Sequence, residues 1–239
     1  MTSKSLNTDQ NQLLHQISRV SVADALKILT DSFPGQVTFS TSFSLEDQVI
    51  THFIQSKELE ISIFTLDTGR LFAETYSTWS ATSNKYGTKI RAFYPDNEAL
   101  ESFVSENGPN AFYESIANRK QCCYLRKVEP LKRALMGNAI WITGLRSGHS
   151  AERRGHDILE WDAANQVLKY NPLLAWTDQE IRDYILLNDI PYNALHDRGF
   201  VSIGCAPCTR AIRPGEDFRA GRWWWEESNK KECGLHSTN

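Results

Sequence analysis

Four short runs rich in β-branched and aromatic residues, at 37–41, 61–66, 89–94 and 139–144, are separated by longer stretches with helical spacing. Strands that alternate with helices specify a doubly wound, mostly parallel α/β sheet covered on both faces. In such a sheet ligands bind at the carboxyl ends of the strands. Ahead of the first run, Leu13, Leu14, Ile17 and Val20, then Ala25, Leu26 and Leu29, carry helical periodicity up to about Asp31, and Pro34-Gly35 closes that stretch as an entry helix pair. Gln179, Glu180, Ile181, Tyr184, Ile185 and Leu186 outline an amphipathic helix starting near Thr177-Asp178, which reads as core packing. The organisation predicted is a helical segment at 1–30, an α/β domain at 31–200 and a C-terminal segment at 201–239.

The 239 residues are 41% hydrophobic, enough to bury a full core as one large domain or a domain with an appendage. No apolar run approaches the length of a membrane span, and the first residues lack the apolar stretch of a secretory signal. Free thiols then point to a reducing cytoplasm. A net charge of -3 speaks against bulk attraction to nucleic acid or anionic membrane, so an anionic ligand must meet a local cluster of cations.

The five cysteines fall into an adjacent pair, Cys122-Cys123, a CxxC, Cys205 to Cys208, and the lone Cys233. Two pairs complete a four-thiolate site and leave Cys233 over as a nucleophile. A disulfide framework suits small secreted domains and leaves an odd thiol, so it fits this chain poorly. If Cys122 and Cys123 sit on a helix, their side chains diverge by about 100°, which favours a multi-iron cluster over a single tetrahedral ion. Local distortion still admits zinc, and spacing alone leaves the metal open.

The loops after the predicted strands carry the remaining chemistry. Ser40, Ser42 and Ser44 crowd the start of a helix, where free N–H groups favour a phosphate, although simple capping accounts equally for Ser42 or Ser44. Neither a Walker loop nor a GxGxxG fingerprint is present. Asp67, Gly69 and Arg70 follow the second run, and residues 144–154 form a glycine-bearing loop with Arg146, Arg153 and Arg154, suited to a lid over an anion, although a solvated basic surface loop accounts for it equally. Trp223, Trp224 and Trp225 read as an anchor for a terminal segment.

On residues 40–47, 66–70, Cys122-Cys123 with Arg126 and Lys127, 144–154, Cys205 to Cys208, and 231–236, the chain resembles the assimilatory sulfonucleotide reductases. Within them it is most similar to the iron-sulfur adenylylsulfate (APS) reductases, over nearly the whole chain. The resemblance implies an adenine nucleotide α-hydrolase-like fold of the pyrophosphate-loop superfamily and one 4Fe-4S cluster ligated by Cys122, Cys123, Cys205 and Cys208. It further implies Cys233 as the nucleophile on a mobile tail, forming an S-sulfocysteine, with thioredoxin or a glutaredoxin-like protein as reductant, and a homo-oligomer.

By the same resemblance, Lys127, Arg219, Arg222 and His236 would bind the phosphosulfate and assist Cys233. Ser40, Ser42 and Ser44 with Thr65, Leu66, Asp67, Gly69 and Arg70 would line the nucleotide edge. Gly144, Arg146, Arg153 and Arg154 would belong to a flexible arginine loop. The implied reaction is the reduction of APS to sulfite and AMP in sulfate assimilation. Three alternatives stay open: action on 3′-phosphoadenylylsulfate (PAPS) or on both nucleotides, a zinc-thiolate binding module without turnover, and an ATP-splitting hydrolase, which the altered serine loop disfavours.

Overall fold

The computed structural model describes residues 3–149 and 155–226. Two helices, α1 (Ser3–Ile17) and α2 (Val22–Ser32), open the chain. Ser21 starts α2 by accepting the Asp24 amide on its hydroxyl at 3.2 Å, and Ala25, Leu26 and Leu29 turn inward at helical spacing.

Six strands follow, in the hydrogen-bonded order β3-β2-β1-β4-β6-β5. They are β1 (Val37–Thr41), β2 (Ser62–Leu66), β3 (Arg91–Phe93), β4 (Ile140–Ile142), β5 (Leu159–Asp162) and β6 (Val167–Tyr170). The pairs β1 with β4, β2 with β3 and β4 with β6 run parallel, whereas β5 runs antiparallel to β6. The sheet is therefore doubly wound and mostly parallel, as the alternation predicts.

The β5–β6 hairpin is absent from the sequence reading. Its charged residues mask the strand pattern, because Glu160 and Lys169 sit opposite one another as a cross-strand ion pair at 2.9 Å. Lys169 is buried, its ammonium lying 5.7 Å over the Trp141 ring. Between strands lie α3 (Leu45–Ser56), α4 (Ala73–Tyr86), α5 (Asn97–Asn107), α6 (Ile116–Cys123) and α7 (Glu129–Leu135), with α8 (Asp178–Leu187) after the hairpin. The predicted start of α8 is a reciprocal capping box: Thr177 Oγ1 accepts the Glu180 amide, and Glu180 accepts the Thr177 amide.

The chain separates into two compact units interleaved in sequence, cutting across the linear segments 1–30, 31–200 and 201–239. The first comprises Met1–Ser40, Leu45–Ile63 and Gly137–Ile190, and the second Thr41–Ser44, Phe64–Met136 and Pro191–Asn239. The first unit packs Leu26, Leu29, Ile50, Ile140, Trp141 and Ile181 in its core. The second buries Phe43, Phe112 and Trp223 among its largest side chains. Among the described residues no helix is long and apolar enough to cross a membrane.

Candidate functional site

In the second unit, Ser115 caps α6 by accepting the Asn118 amide at 3.1 Å. The helix passes at Cys123 into one π-helical turn (Tyr124–Val128) and then into α7. Such turns recur where a helix must re-aim side chains. Arg119, Cys122, Cys123, Arg126 and Lys127 all line one cleft. Their spacing of i, i+3, i+4, i+7 and i+8 is that of a buried helical face. The adjacent cysteines thus straddle the middle of a stripe that an ordinary amphipathic helix would fill with Leu or Ile.

Cys205 and Cys208 complete the cleft from a short 3-10 turn (Ala206–Cys208). Its backbone is fastened on two sides: Ala206 N donates to Arg70 O at 2.8 Å, and Trp223 N donates to Cys208 O at 3.2 Å. All four thiols are buried and unoxidised, packed with Phe112 and Trp223.

The charged side chains lining the cleft are Arg70, Arg119, Arg126 and Lys127, with no carboxylate among them. Arg126 is buried, its Nη1 donating to Thr68 O at 2.5 Å, and its Nε has no partner. Arg222 is likewise buried with an unpaired Nε, 4.7 Å from the Trp223 ring, and Trp223 Nε1 also lacks a partner. Among the described residues neither Arg126 nor Arg222 has a carboxylate within ion-pair distance. Buried positive charge without counter-charge is costly, so the cleft is built for an anion.

The thiols respond to this field unequally. Burial pushes Cys122 up, and Cys208 up to about 12. Burial also opposes the Cys205 thiolate, but Lys127, the Thr68 hydroxyl, Arg222 and Arg126 outweigh it and hold that thiol below its usual value. Cys205 Sγ lies 3.3 Å from Thr68 Oγ1. Among the described residues no three His, Cys, Asp or Glu side chains are grouped so as to hold a metal ion. Four thiols on one cation-walled cleft nevertheless match the donor set of a thiolate-ligated cluster, whose negative charge would answer the unpaired guanidinium groups.

The other predicted site residues have specific surroundings. Ser40 Oγ accepts from Trp141 Nε1 at 2.8 Å, and Thr65 is buried within β2. Ser42 and Ser44 flank Phe43, a buried residue with a left-handed φ of 61° stacked 5.6 Å from Trp79. Held non-glycine residues of this kind are found at functional turns. Leu66 ends β2 opposite Phe93, and Asp67 then shapes the next turn, accepting the Gly69 amide and the Tyr76 hydroxyl, each at 2.9 Å. Gly69 takes a φ of 69°, which favours glycine. Arg70, expected at the nucleotide edge, lines the thiol cleft, its guanidinium 5.2 Å over Phe112 and bonded to Asn110 and Pro109 O.

In the first unit, Gly144 lies so close to α3 that a Cβ would collide with the Asp47 carboxylate. Arg146 is buried, donating to Glu46 Oε1 at 2.8 Å, to Trp176 O at 2.9 Å and to Asp178. Its surroundings are those of a fastened root to the arginine-rich loop. Arg219 is buried 5.9 Å from the Trp223 ring. Arg153, Arg154, Cys233 and His236 lie outside the described residues.

Sequence reasoning left Arg119, Thr68, Gly204 and Glu226 out of the site and read Trp223 as packing alone. The helical spacing of 119, 122, 123, 126 and 127 was the available signal for Arg119. Nothing local marks Thr68 or Gly204.

Residues 36–211 match the family model described as the phosphoadenosine phosphosulfate reductase domain. The chain is 48% identical over 221 residues to adenosine 5′-phosphosulfate reductase of Burkholderia cepacia, covering 92% of this chain and 88% of that one. It is 50% identical over 200 residues to the enzyme of the same name from Allochromatium vinosum, covering 84% and 78%. The crystal structure of phosphoadenylyl-sulfate (PAPS) reductase from Candida auris, a phosphate complex, superposes with a TM-score of 0.72 at 25% identity. That match covers 89% of this chain and 98% of that one. The fold is thus the α/β nucleotide-binding fold of the pyrophosphate-loop superfamily. Within it, the chain belongs to the phosphoadenosine phosphosulfate reductase family.

Proposed function

We propose that this chain is a thioredoxin-dependent APS reductase, producing sulfite and AMP for sulfate assimilation and cysteine biosynthesis in the cytoplasm. The relatives named APS reductase at 48% and 50% identity support the substrate. The observation that carries the reading is the convergence of Cys122, Cys123, Cys205 and Cys208 on a cleft whose charged lining is wholly cationic. Those four thiols would hold a 4Fe-4S cluster, which when bound supplies fixed negative charge and ties the CxxC turn to α6.

The chemistry falls to Cys233. Its thiolate attacks the sulfuryl sulfur, the bond from sulfur to the phosphate oxygen breaks, and AMP leaves with the electron pair as Cys233 becomes an S-sulfocysteine. A dithiol of the thioredoxin class then attacks Cys233 Sγ. Sulfite departs with the electrons of the sulfur–sulfur bond, and the partner's second thiol resolves the mixed disulfide, so two electrons pass from dithiol to sulfite. Lys127, Arg219, Arg222 and His236 bind the phosphosulfate and favour the Cys233 thiolate. Gly144, Arg146, Arg153, Arg154 and the serines of residues 40–44 serve the nucleotide. Lys127→Ala and Arg222→Ala are each expected to lose two to three orders of magnitude in rate, roughly 3 to 4 kcal/mol.

A second reading, PAPS or dual APS/PAPS reduction, is favoured by the likeness to the Candida auris PAPS reductase. Intact mass of anaerobically purified protein after incubation with APS or PAPS, without reductant and beside Cys233→Ser, separates the readings. An adduct on Cys233 from one nucleotide identifies the substrate, and adducts from both identify a dual enzyme. Folded, cluster-loaded protein that forms no adduct would exclude the covalent route.

A further inference from the structure

Five described non-glycine residues take φ in the left-handed region. Glu58, Gln166 and Asp189 do so in exposed turns, where a polar residue meets little resistance. Trp223 is packed among the cleft thiols. That leaves Phe43, 1% exposed, whose own Cβ opposes its φ of 61°. A glycine would adopt this backbone freely, so the seat of the phenyl ring must supply what the backbone loses.

The ring's partner is Trp79 of α4, half-buried and stacked on Phe43 with 5.6 Å between centroids and 22° between planes. Aromatic pairs favour such offset geometry. Phe43 N donates to Thr41 Oγ1 at 3.0 Å, which fixes the amide ahead of the ring. The amide after it, that of Ser44, turns with the φ and ψ of Phe43 itself. Local bonding thus sets one side of the loop, and the seat of the ring sets the torsion that orients the other. Thr41–Ser44 accordingly groups with the unit that contains α4, although Ser40 before it and Leu45 after it belong to the other.

The cost of a left-handed torsion on a bulky residue and the gain from one aromatic stack are of the same order. A loop balanced in this way shifts its population when the stack is lost, and a ligand that needs the left-handed form then binds more weakly by the fraction remaining. We propose that Trp79 is a positioning residue for the nucleotide, stacking on Phe43 to hold the serine loop of residues 41–44 in its binding form. The inference rests on the reading of that loop as part of the nucleotide site.

The experiment uses full-length, cluster-loaded protein and reads equilibrium binding of AMP beside visible absorption. Trp79→Leu keeps apolar bulk without a ring face, and Trp79→Phe keeps a ring face. We expect Trp79→Leu to weaken AMP binding about fivefold or more and Trp79→Phe to stay within about twofold of wild type, with absorption unchanged in both. In a Phe43→Gly background, where the left-handed torsion carries no penalty, adding Trp79→Leu should change AMP affinity by less than about twofold. AMP binding by Trp79→Leu at the wild-type level would overturn the proposal alone. So would Trp79→Phe as weak as Trp79→Leu, or a loss in the Phe43→Gly background equal to that in wild type. Absorption falling in step with affinity, or a Trp79→Leu protein that does not fold, would assign Trp79 to the integrity of the fold and overturn it too. If Phe43→Gly does not fold, the two Trp79 variants decide. Wild-type protein that binds no AMP would overturn the nucleotide reading and this inference together.

Discussion

A Cβ placed on Gly204 falls 2.6 Å from Arg222 Cζ, inside the space that the guanidinium occupies. Gly204 precedes Cys205, so the glycine that leads into the CxxC turn also makes room for a proposed phosphosulfate cation. Arg222 is held there by stacking on Trp223 and by a long bond of 3.5 Å to Ser202, with no carboxylate partner among the described residues. A methyl group would displace the arginine more readily than the backbone. Gly204→Ala is expected to slow Cys233 adduct formation ten- to a hundredfold, about 1.4 to 2.7 kcal/mol in the barrier. Single-turnover mass spectrometry measures it, and an unchanged rate would place Arg222 away from the substrate.

Arg146 is expected to matter first for folding. Its side chain and that of Glu46 are 3% and 8% exposed, so Arg146→Ala would take the guanidinium away from a buried carboxylate. Loss of about 3 kcal/mol or more is predicted from urea unfolding. The Asp178 partner is 70% exposed, and Asp178→Asn should cost under about 1 kcal/mol.

Acid sensitivity should trace in part to Glu160. Burial would raise its carboxyl, but hydrogen bonds from His156 and Lys169, with the Lys169 charge, outweigh that and hold it below the usual carboxylate range. Because the folded value is depressed, the stabilisation is fully present above the unfolded value of about 4.3 and fades as pH falls through the folded value. Glu160→Gln also strands the buried Lys169. Its melting temperature should therefore fall furthest below wild type near neutral pH, and the gap should narrow below about pH 4. A constant gap across that range would contradict the assignment.

Cluster loading gives a visible test. Serine at any one of Cys122, Cys123, Cys205 or Cys208 should abolish the brown absorption, whereas Cys233→Ser should retain it. Stripping the cluster anaerobically should lower the melting temperature, because Arg126 and Arg222 would be left as buried charges without an anion. A zinc module would be colourless throughout.

Much of the architecture was legible because it depends on neighbours along the chain. β-branched runs at 37–41 and 61–66, the helical spacing of Leu26 and Leu29, and Thr177 three residues before Glu180 each act within a few residues. The β5–β6 hairpin escaped because Glu160 and Lys169 are tolerated in strands only once paired across the sheet. The π-helical turn at Tyr124–Val128 escaped because nothing in its composition distinguishes it from α-helix.

The sequence by itself determined the α/β alternation, the capped helices and which cysteines travel in pairs, since periodicity and short-range hydrogen bonds are local properties. Tertiary structure alone decided that Arg70 walls the thiol cleft, that Arg146 is tied to Glu46, that Arg119 grips Glu226 and that Gly204 clears a path for Arg222. Those outcomes turn on which distant side chains share a buried, low-dielectric space. There, each charge must find a partner or a ligand, and each close approach admits or refuses a single carbon atom.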